Sequence, residues 1–340
     1  MSTIFEEEIR SQGSLIAARA AQGALVAAQV AESFGSCTHL VVAARGSSDN
    51  AAVFFQYLVG QVTGRLVALA APSLFENPAT MDLSGAGVVA ISQSGRSPGI
   101  GDVLASARGQ GRPSVAITND VDSPLADLAD CVVSLGVGPE RAIASTKTFS
   151  STWHALAQVV EAMSGEALEG LADTSKYVDD LVGWALGLEL PLDLLDAQGL
   201  TMVGRGIGYA VASEIALKVR EVTGVRAECY AAPDYLHGPI GADGSGSSLV
   251  LLLSDELSDE VARDVLLGCE EAGMQTVVVR PPHREGTGAD EDIVLPREAP
   301  NWLTGLGMVL VGQVLALRLG QRRGRPIDTS PRLHKVTLSA

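Results

Sequence analysis

Basic and aromatic side chains are both in short supply in this chain. Lysines and arginines number 24 against 40 aspartates and glutamates, a formal net charge of −16, and aromatic residues make up 4%. Nucleic-acid binding draws on a basic face and on aromatic stacking, so no nucleic-acid partner is expected. The one basic cluster is Arg322, Arg323, Arg325, Arg332 and Lys335. Its plain reading is a solvated helix end whose cations complement the dipole. Cysteine is sparse as well: Cys37, Cys131, Cys229 and Cys269 are isolated, with no CxxC spacing. That argues against a disulfide framework and suits a reducing cytoplasm. His39, His154, His283 and His334 share no ligand spacing with one another or with cysteine, so no metal site is expected. Charges, glycines or prolines interrupt every apolar run short of the roughly eighteen residues of a membrane span. Glu6, Glu7 and Glu8 stand where a secretory leader would carry basic residues, so neither a membrane span nor a signal peptide is expected.

What the chain does have is apolar material for two cores, with 46% hydrophobic residues. Residues 4–33 read as one or two Ala-rich helices. Then come strand 38–44, helix 48–63, strands 65–70 and 87–92, helix 98–109, strands 113–118 and 131–135, and helix 146–164. An acidic helical stretch over 166–196 leads to a second series. It reads strand 199–203, helix 208–223, strands 226–230 and 248–253, helix 257–271, strands 275–279 and 292–295, and helix 301–320. Arg45-Gly46 recurs as Arg205-Gly206, 160 positions later, and Val62-Thr63-Gly64 recurs as Val222-Thr223-Gly224. Alternating strands and helices, used twice, predict an α/β protein of two tandem domains. Each would be a parallel sheet flanked by helices in a three-layer sandwich. The divisions are N-terminal helices 1–33, a first domain 34–165, a linker 166–196, a second domain 197–324 and a tail 325–340.

Chemistry gathers in a few places. Gly87-Val88-Val89-Ala90-Ile91 is a buried-strand run that empties into Ser92-Gln93-Ser94-Gly95-Arg96-Ser97-Pro98. Hydroxyls and a glycine at the end of a strand and the mouth of a helix favour an anion. Gly204-Arg205-Gly206-Ile207-Gly208 also follows a strand, but its spacing is not that of a dinucleotide loop and no ribose-binding acid follows. A tight βα turn explains it, and no nicotinamide or other cofactor is expected. Glu214, Lys218 and Glu221 share a predicted helix. Glu214 and Lys218 have the spacing of a surface ion pair, whereas a carboxylate as close to the helix end as Glu221 works against the dipole. His237 sits in a stiff Leu236-His237-Gly238-Pro239 turn suited to a positioned acid or base. Lys335 lies in a tail rich in proline and apolar residues. So near the end it reads first as part of a frayed tail; the alternative is a tail that packs across the body, where a buried lysine would act as a carbonyl nucleophile.

Taken together, these motifs resemble the sugar-isomerase (SIS) domain proteins, specifically the isomerase half of glucosamine-6-phosphate synthase and its stand-alone deaminase relatives. The resemblance rests on Arg45-Gly46-Ser47-Ser48, Ser92 to Ser97, Ala144-Ser145-Thr146-Lys147 and Glu214 to Glu221. It continues through Glu228-Cys229-Tyr230-Ala231, Leu236 to Pro239, Asp328 to Arg332 and Lys335-Val336-Thr337. It implies that Ser48, Ser92, Gln93, Ser94 and Ser97 hold a sugar phosphate, with Ser47, Ser145 and the Ile143 backbone at sugar hydroxyls. It further implies that Glu221 shuttles a proton between C2 and C1 and that Lys218 lies near the reacting carbons. His237 would assist ring opening, from its own subunit or from the neighbouring one of a homodimer. Lys335 would meet the open-chain carbonyl.

The synthase's glutaminase, with its cysteine beside the initiator, has no counterpart after Met1-Ser2-Thr3. Without delivered ammonia, mass action favours ammonia release. Arg96 in place of an acid, and the short ending after Lys335, also resemble the deaminase and deglycase branch. The expected function is therefore cytoplasmic deamination of glucosamine-6-phosphate to fructose-6-phosphate. Arg45 near the sugar leaves open another aminated sugar phosphate, a galactosamine phosphate or a fructosamine phosphate. A non-catalytic sugar-phosphate sensor stays open as well.

Overall fold

Runs of valine, leucine and isoleucine without polar alternation form strands buried on both faces. In the computed structural model, which describes residues 2–76, 81–330, 332, 333 and 335, these runs build two five-stranded sheets paired in parallel throughout. The chain starts with α1 (Ile4–Arg10) and α2 (Gln12–Ser33). The first series is β1 (His39–Ala43), α3 (Ser47–Thr63), β2 (Leu66–Leu69), β3 (Ala86–Ile91) and α4 (Ile100–Gly109). It ends with β4 (Ser114–Thr118), α5 (Pro124–Leu128) and β5 (Cys131–Ser134). Next are α6 (Lys147–Ser164), α7 (Thr174–Leu186) and α8 (Leu192–Leu195). The second series is β6 (Gly199–Gly204), α9 (Ile207–Thr223), β7 (Arg226–Ala231), α10 (Ala232–Leu236) and β8 (Ser247–Leu252). It closes with α11 (Asp259–Ala272), β9 (Gln275–Arg280), β10 (Glu291–Val294) and α12 (Asn301–Arg322).

The strand order is β2-β1-β3-β4-β5 in one sheet and β7-β6-β8-β9-β10 in the other, the same topology used twice. In each, the chain leaves two adjacent strands in opposite directions, β1 and β3 or β6 and β8. A crevice opens at the carboxyl ends of such a pair, the usual ligand position in this type of sheet.

Contacts group the residues into two units. A first-sheet unit holds Ser11–Glu140, Lys147–Ser175 and the described tail residues from Leu333 on. A second-sheet unit holds the residues up to Arg10, Arg141–Thr146 and Lys176–Arg332. Within the first, Val41, Ala43, Val88 and Ala90 meet Ile100, Val103, Leu104 and Ala107 of α4. Gly87, on the same strand, lies against Phe34 and Leu40, where a side chain would collide. Within the second, Leu249, Leu251 and Val278 pack on Ala262, Val265 and Leu266 of α11. Val250, Val277 and Val279 line a small apolar space together with Ile215 of α9 and Val311 and Leu315 of α12.

Two helices depart from the expectation about apolar runs. Gln12–Ser33 and Asn301–Arg322 are each long and apolar enough to cross a membrane by length and composition. The sequence reading set them aside because glycines and single charges interrupt them. α12 is buried along nearly its whole length inside the second-sheet unit, as a core helix.

α2 packs on α6 around a buried pair of bases. Arg19 Nη1 lies 2.7 Å from His154 Nδ1, and Arg19 Nε and Nη2 have no partner. Burial first, and the neighbouring guanidinium second, push His154 down to about 3, so the imidazole is neutral in the fold. In the unfolded chain it protonates near 6.5. Between those values the unfolded state binds the extra proton, so stability is full above pH 6.5 and falls as pH drops. The loss from this residue is about 1.4 kcal/mol per pH unit. Urea titrations at pH 7.5, 6 and 5 should show that slope, and His154→Gln should flatten it.

Candidate functional site

In the first-sheet unit, the candidate anion site is built at the crevice between β1 and β3. Ala43 and Ala90 are paired residues of these strands, about 4.8 Å apart in the pairing direction. Arg45-Gly46-Ser47-Ser48 and Ser92-to-Ser97 follow directly. Gly46 has φ 60°, which a glycine adopts without strain, and turns the chain into α3 with Ser47 and Ser48 in its first turn. The first-turn N–H groups and the positive end of a helix attract anions.

The second loop is fastened from all sides. Ser92 N–H donates to Ile117 O at 3.1 Å, Gln93 O accepts from Asn119 N–H at 3.1 Å, and Gly95 O accepts from Leu125 N–H at 3.2 Å. Gly95 has φ 63°, and a Cβ there would overlap Ser123, the N-cap of α5. The Ser92 and Ser97 hydroxyls are 2.9 Å apart, and Ser94 Oγ accepts from Arg96 N–H at 3.3 Å. Arg45 Nε donates to Pro98 O at 3.1 Å and so ties one loop to the other. Arg96 pairs with Asp120 at 3.2 Å. A cleft of about 290 Å³ lined by Gly95, Arg96, Ser97, Asp102 and Leu125 adjoins the loop.

Lys335 belongs to the same unit. Its Nζ donates to Glu140 Oε2 at 2.7 Å. Glu140 is fully buried and also accepts from the Thr148 N–H at 3.0 Å and hydroxyl at 2.7 Å, at the start of α6. The lysine that the sequence suggests as a carbonyl nucleophile thus has a buried carboxylate as its partner. The tail's Pro331, His334 and Val336 to Ala340 lie outside the described residues.

In the second-sheet unit, α9 carries the candidate acid–base group. Lys218 Nζ is 2.5 Å from Glu221 Oε2 and 3.5 Å from Glu214 Oε1. Glu214 and Lys218 are 0% and 1% exposed, so they are not the surface pair that their spacing suggests; Glu221 is 21% exposed. The reason is that α9 is buried on more than one face, against β6, β7 and α12. Helical spacing reports which side chains are neighbours, not which face meets water. Among the described residues, Glu221 Oε1 accepts no hydrogen bond. The carboxylate is thus held through one oxygen on a partly exposed side chain.

The remaining candidates of this unit sit on segments held by carboxylates. Glu8 of α1 accepts from the N–H groups of Arg141 at 2.6 Å and Ala142 at 3.2 Å. Ile143 N–H donates to Asp328 O at 3.0 Å, and the Asp328 side chain accepts from Ile4 and Phe5 N–H at 3.1 and 2.8 Å. These bonds shape the loop that carries Ile143 and Ser145. His237 is exposed at the end of α10, where its N–H donates to Asp234 O. The segment is anchored by buried Tyr235, whose hydroxyl donates to Asp243 at 2.8 Å. Arg322 and Arg323 pair with Asp193 and Asp196 beside α8, so ion pairs accompany the solvated helix end that the sequence suggests.

Sequence reasoning missed Glu8, Glu140 and Asp243. Glu8 and Glu140 bind partners 133 and 195 residues away, which no local spacing discloses.

Residues 33–162 match the SIS domain family. The chain is 28% identical over 321 residues to the glutamine–fructose-6-phosphate aminotransferase [isomerizing] of Streptococcus mutans, a match covering 90% of this chain and 52% of that protein. It thus spans about half the length of the curated relatives it matches. The C-terminal domain of glucosamine-fructose-6-phosphate aminotransferase from Francisella tularensis superposes with a TM-score of 0.84 at 20% identity, over 97% of this chain and 99% of that one. The glucosamine-6-phosphate deaminase of Thermotoga maritima does so at 0.77 and 20% identity, over 98% and 99%. The fold is therefore shared with both.

Removing Lys218 should leave Glu214 as an uncompensated buried charge. Lys218→Met is expected to cost about 3–5 kcal/mol in urea unfolding, and adding Glu214→Leu should recover most of it.

Proposed function

We propose, from the premise that this chain carries an SIS domain over residues 33–162, that it is a sugar-phosphate isomerase of the deaminating kind. In this reading it converts glucosamine-6-phosphate and water to fructose-6-phosphate and ammonia. The observation that carries the reading is Glu221, a partly exposed carboxylate pinned through Oε2 by the buried ammonium of Lys218. An aldose–ketose shift needs a base that reaches two adjacent carbons and a cation for the oxygen that gains charge.

In the open-chain sugar, Glu221 takes the C2 proton and returns it to C1. The C1 aldehyde becomes an alcohol and the C2 amine becomes an imine. Water then adds to C2, and the C2–N bond breaks to release ammonia. His237 is assigned to ring opening, and Lys218 and Lys335 to stabilising the enolate-like oxygens. Ser48, Ser92, Gln93, Ser94 and Ser97 are assigned to the phosphate, with Ser47, Ser145 and the Ile143 backbone at sugar hydroxyls. Phosphate binding supplies remote energy that fixes the carbon chain for proton transfer. The fold is one that a glucosamine-6-phosphate deaminase of Thermotoga maritima also has.

Ammonia and fructose-6-phosphate measured together from glucosamine-6-phosphate should appear in equal amounts. Tight binding of the sugar phosphate with neither product would replace this reading with a sensor. Glu221→Gln should lower kcat by at least about a thousandfold while sugar-phosphate affinity stays within a few fold; a variant with undiminished turnover would remove Glu221 from the mechanism. Ser94→Ala should raise KM about tenfold and change kcat less, as expected for loss of one ground-state phosphate contact.

A further inference from the structure

The Gly204-Arg205-Gly206-Ile207-Gly208 turn has no part in the proposed chemistry, yet it is built like the anion loop of the other unit. Gly206 has φ 59° and ψ −126°, and Gly46 has φ 60° and ψ −133°. Each opens a 17-residue helix that ends on a left-handed glycine, Gly64 or Gly224. Each follows the strand that borders its sheet's crevice, β1 or β6.

Their contents differ. A Cβ placed on Gly46 would meet nothing within 4 Å. A Cβ placed on Gly206 would overlap the Glu256 carboxylate, with both oxygens within 2.7 Å. Glu256 Oε2 accepts from Ile207 N–H, the first amide of α9, at 2.9 Å, and Ser254 Oγ lies 3.3 Å from the same oxygen. The flanking glycines serve the same packing: Gly208 lies against Ser254 and Gly204 against Gly208 O. Asp255, beside the plug, is held by His283 Nε2 at 2.9 Å. Glu256 is the fourth residue after β8, as Gly95 is the fourth after β3. One crevice therefore presents a bare glycine loop, and its counterpart presents a carboxylate folded back into the cradle.

We infer that the second half retains a phosphate-class anion site that Glu256 permanently fills, so the chain binds one phosphate group, and that removing this carboxylate uncovers a second site. The inference rests on the phosphate role proposed for the first-half loops. A carboxylate on the amide and dipole of α9 meets the same demand for negative charge that a phosphate would. Glu256 also blocks the approach of any ligand to Gly206, which accounts for glycines that bind no dinucleotide.

Inorganic phosphate titrated calorimetrically at constant ionic strength tests this on the full chain. Wild type should bind one phosphate and Glu256→Ser two, whereas Glu256→Gln, which keeps the plug's shape, should stay at one. In the Ser48→Ala/Ser94→Ala background, Glu256→Ser should still bind one. If Glu256→Ser is only marginally folded, its melting temperature should rise with phosphate by at least twice the wild-type shift. Two phosphates on wild type, or no added site and no extra thermal shift in Glu256→Ser, would overturn the inference. No phosphate on wild type but one on Glu256→Ser would refute the proposed first-half site, and with it the count of one for wild type, while the filled second-half site would stand.

Discussion

Parallel pairing of β1 with β3, and of β6 with β8, is the constraint from which the functional features descend. Strands paired in parallel must be joined by crossovers, and in this order the crossovers from the two central strands depart to opposite sides. Backbone at the carboxyl ends is then left without a further strand, next to the amino end of a helix. Such a place needs negative charge. Glu256 supplies it from within in the second-sheet unit, and the phosphate proposed for the Ser47, Ser48 and Ser92-to-Ser97 loops would supply it from outside in the first.

Buried or half-buried carboxylates do much of the organising in this acidic protein. Glu8, Glu140, Asp328 and Glu256 each accept from backbone N–H groups that have no partner within a helix or sheet. A buried amide left unpaired is costly, and a charged acceptor makes a stronger bond than a neutral one. Each of these acids also fixes a segment that carries a candidate functional residue or closes a candidate site. Glu8 and Asp328 shape the loop of Ile143 and Ser145, and Glu140 receives Lys335. The acidic surplus thus includes groups that belong to the architecture as well as to the solvated surface.

Lys218 shows how charge inside the fold differs from charge on it. One ammonium between Glu214 and Glu221 joins a fully buried carboxylate to one that reaches solvent. Low polarizability around the buried pair strengthens the attraction and raises the cost of breaking it. Glu221 is consequently held in one position, as the proposed proton transfer between two adjacent carbons would require.

Most of the architecture was legible in the residues. The ten strands and the helices α3, α4, α6, α9, α11 and α12 lie within two residues of where periodicity, glycines and prolines put them. In contrast, α5 and α10 were not foreseen, and the 166–196 stretch holds two separate helices, α7 and α8. The repeat of Arg45-Gly46 at Arg205-Gly206 marked a duplicated βα turn before any coordinates. Local rules suffice there because hydrogen bonding and side-chain period act over a few residues. The environments of the side chains were not legible. Nothing in the spacing of Glu214 and Lys218 tells a buried pair from an exposed one, and nothing near Lys335 names Glu140 as its partner. Nor does a glycine motif say whether its cradle is open, as at Gly46, or filled by a residue 50 positions away, as Glu256 fills that of Gly206. The elements, their order and the residue types at each strand end can be read from the chain. Which charges are buried, which are paired and which glycine turn is filled is settled in the folded molecule, because those depend on what distant residues bring within a few ångströms.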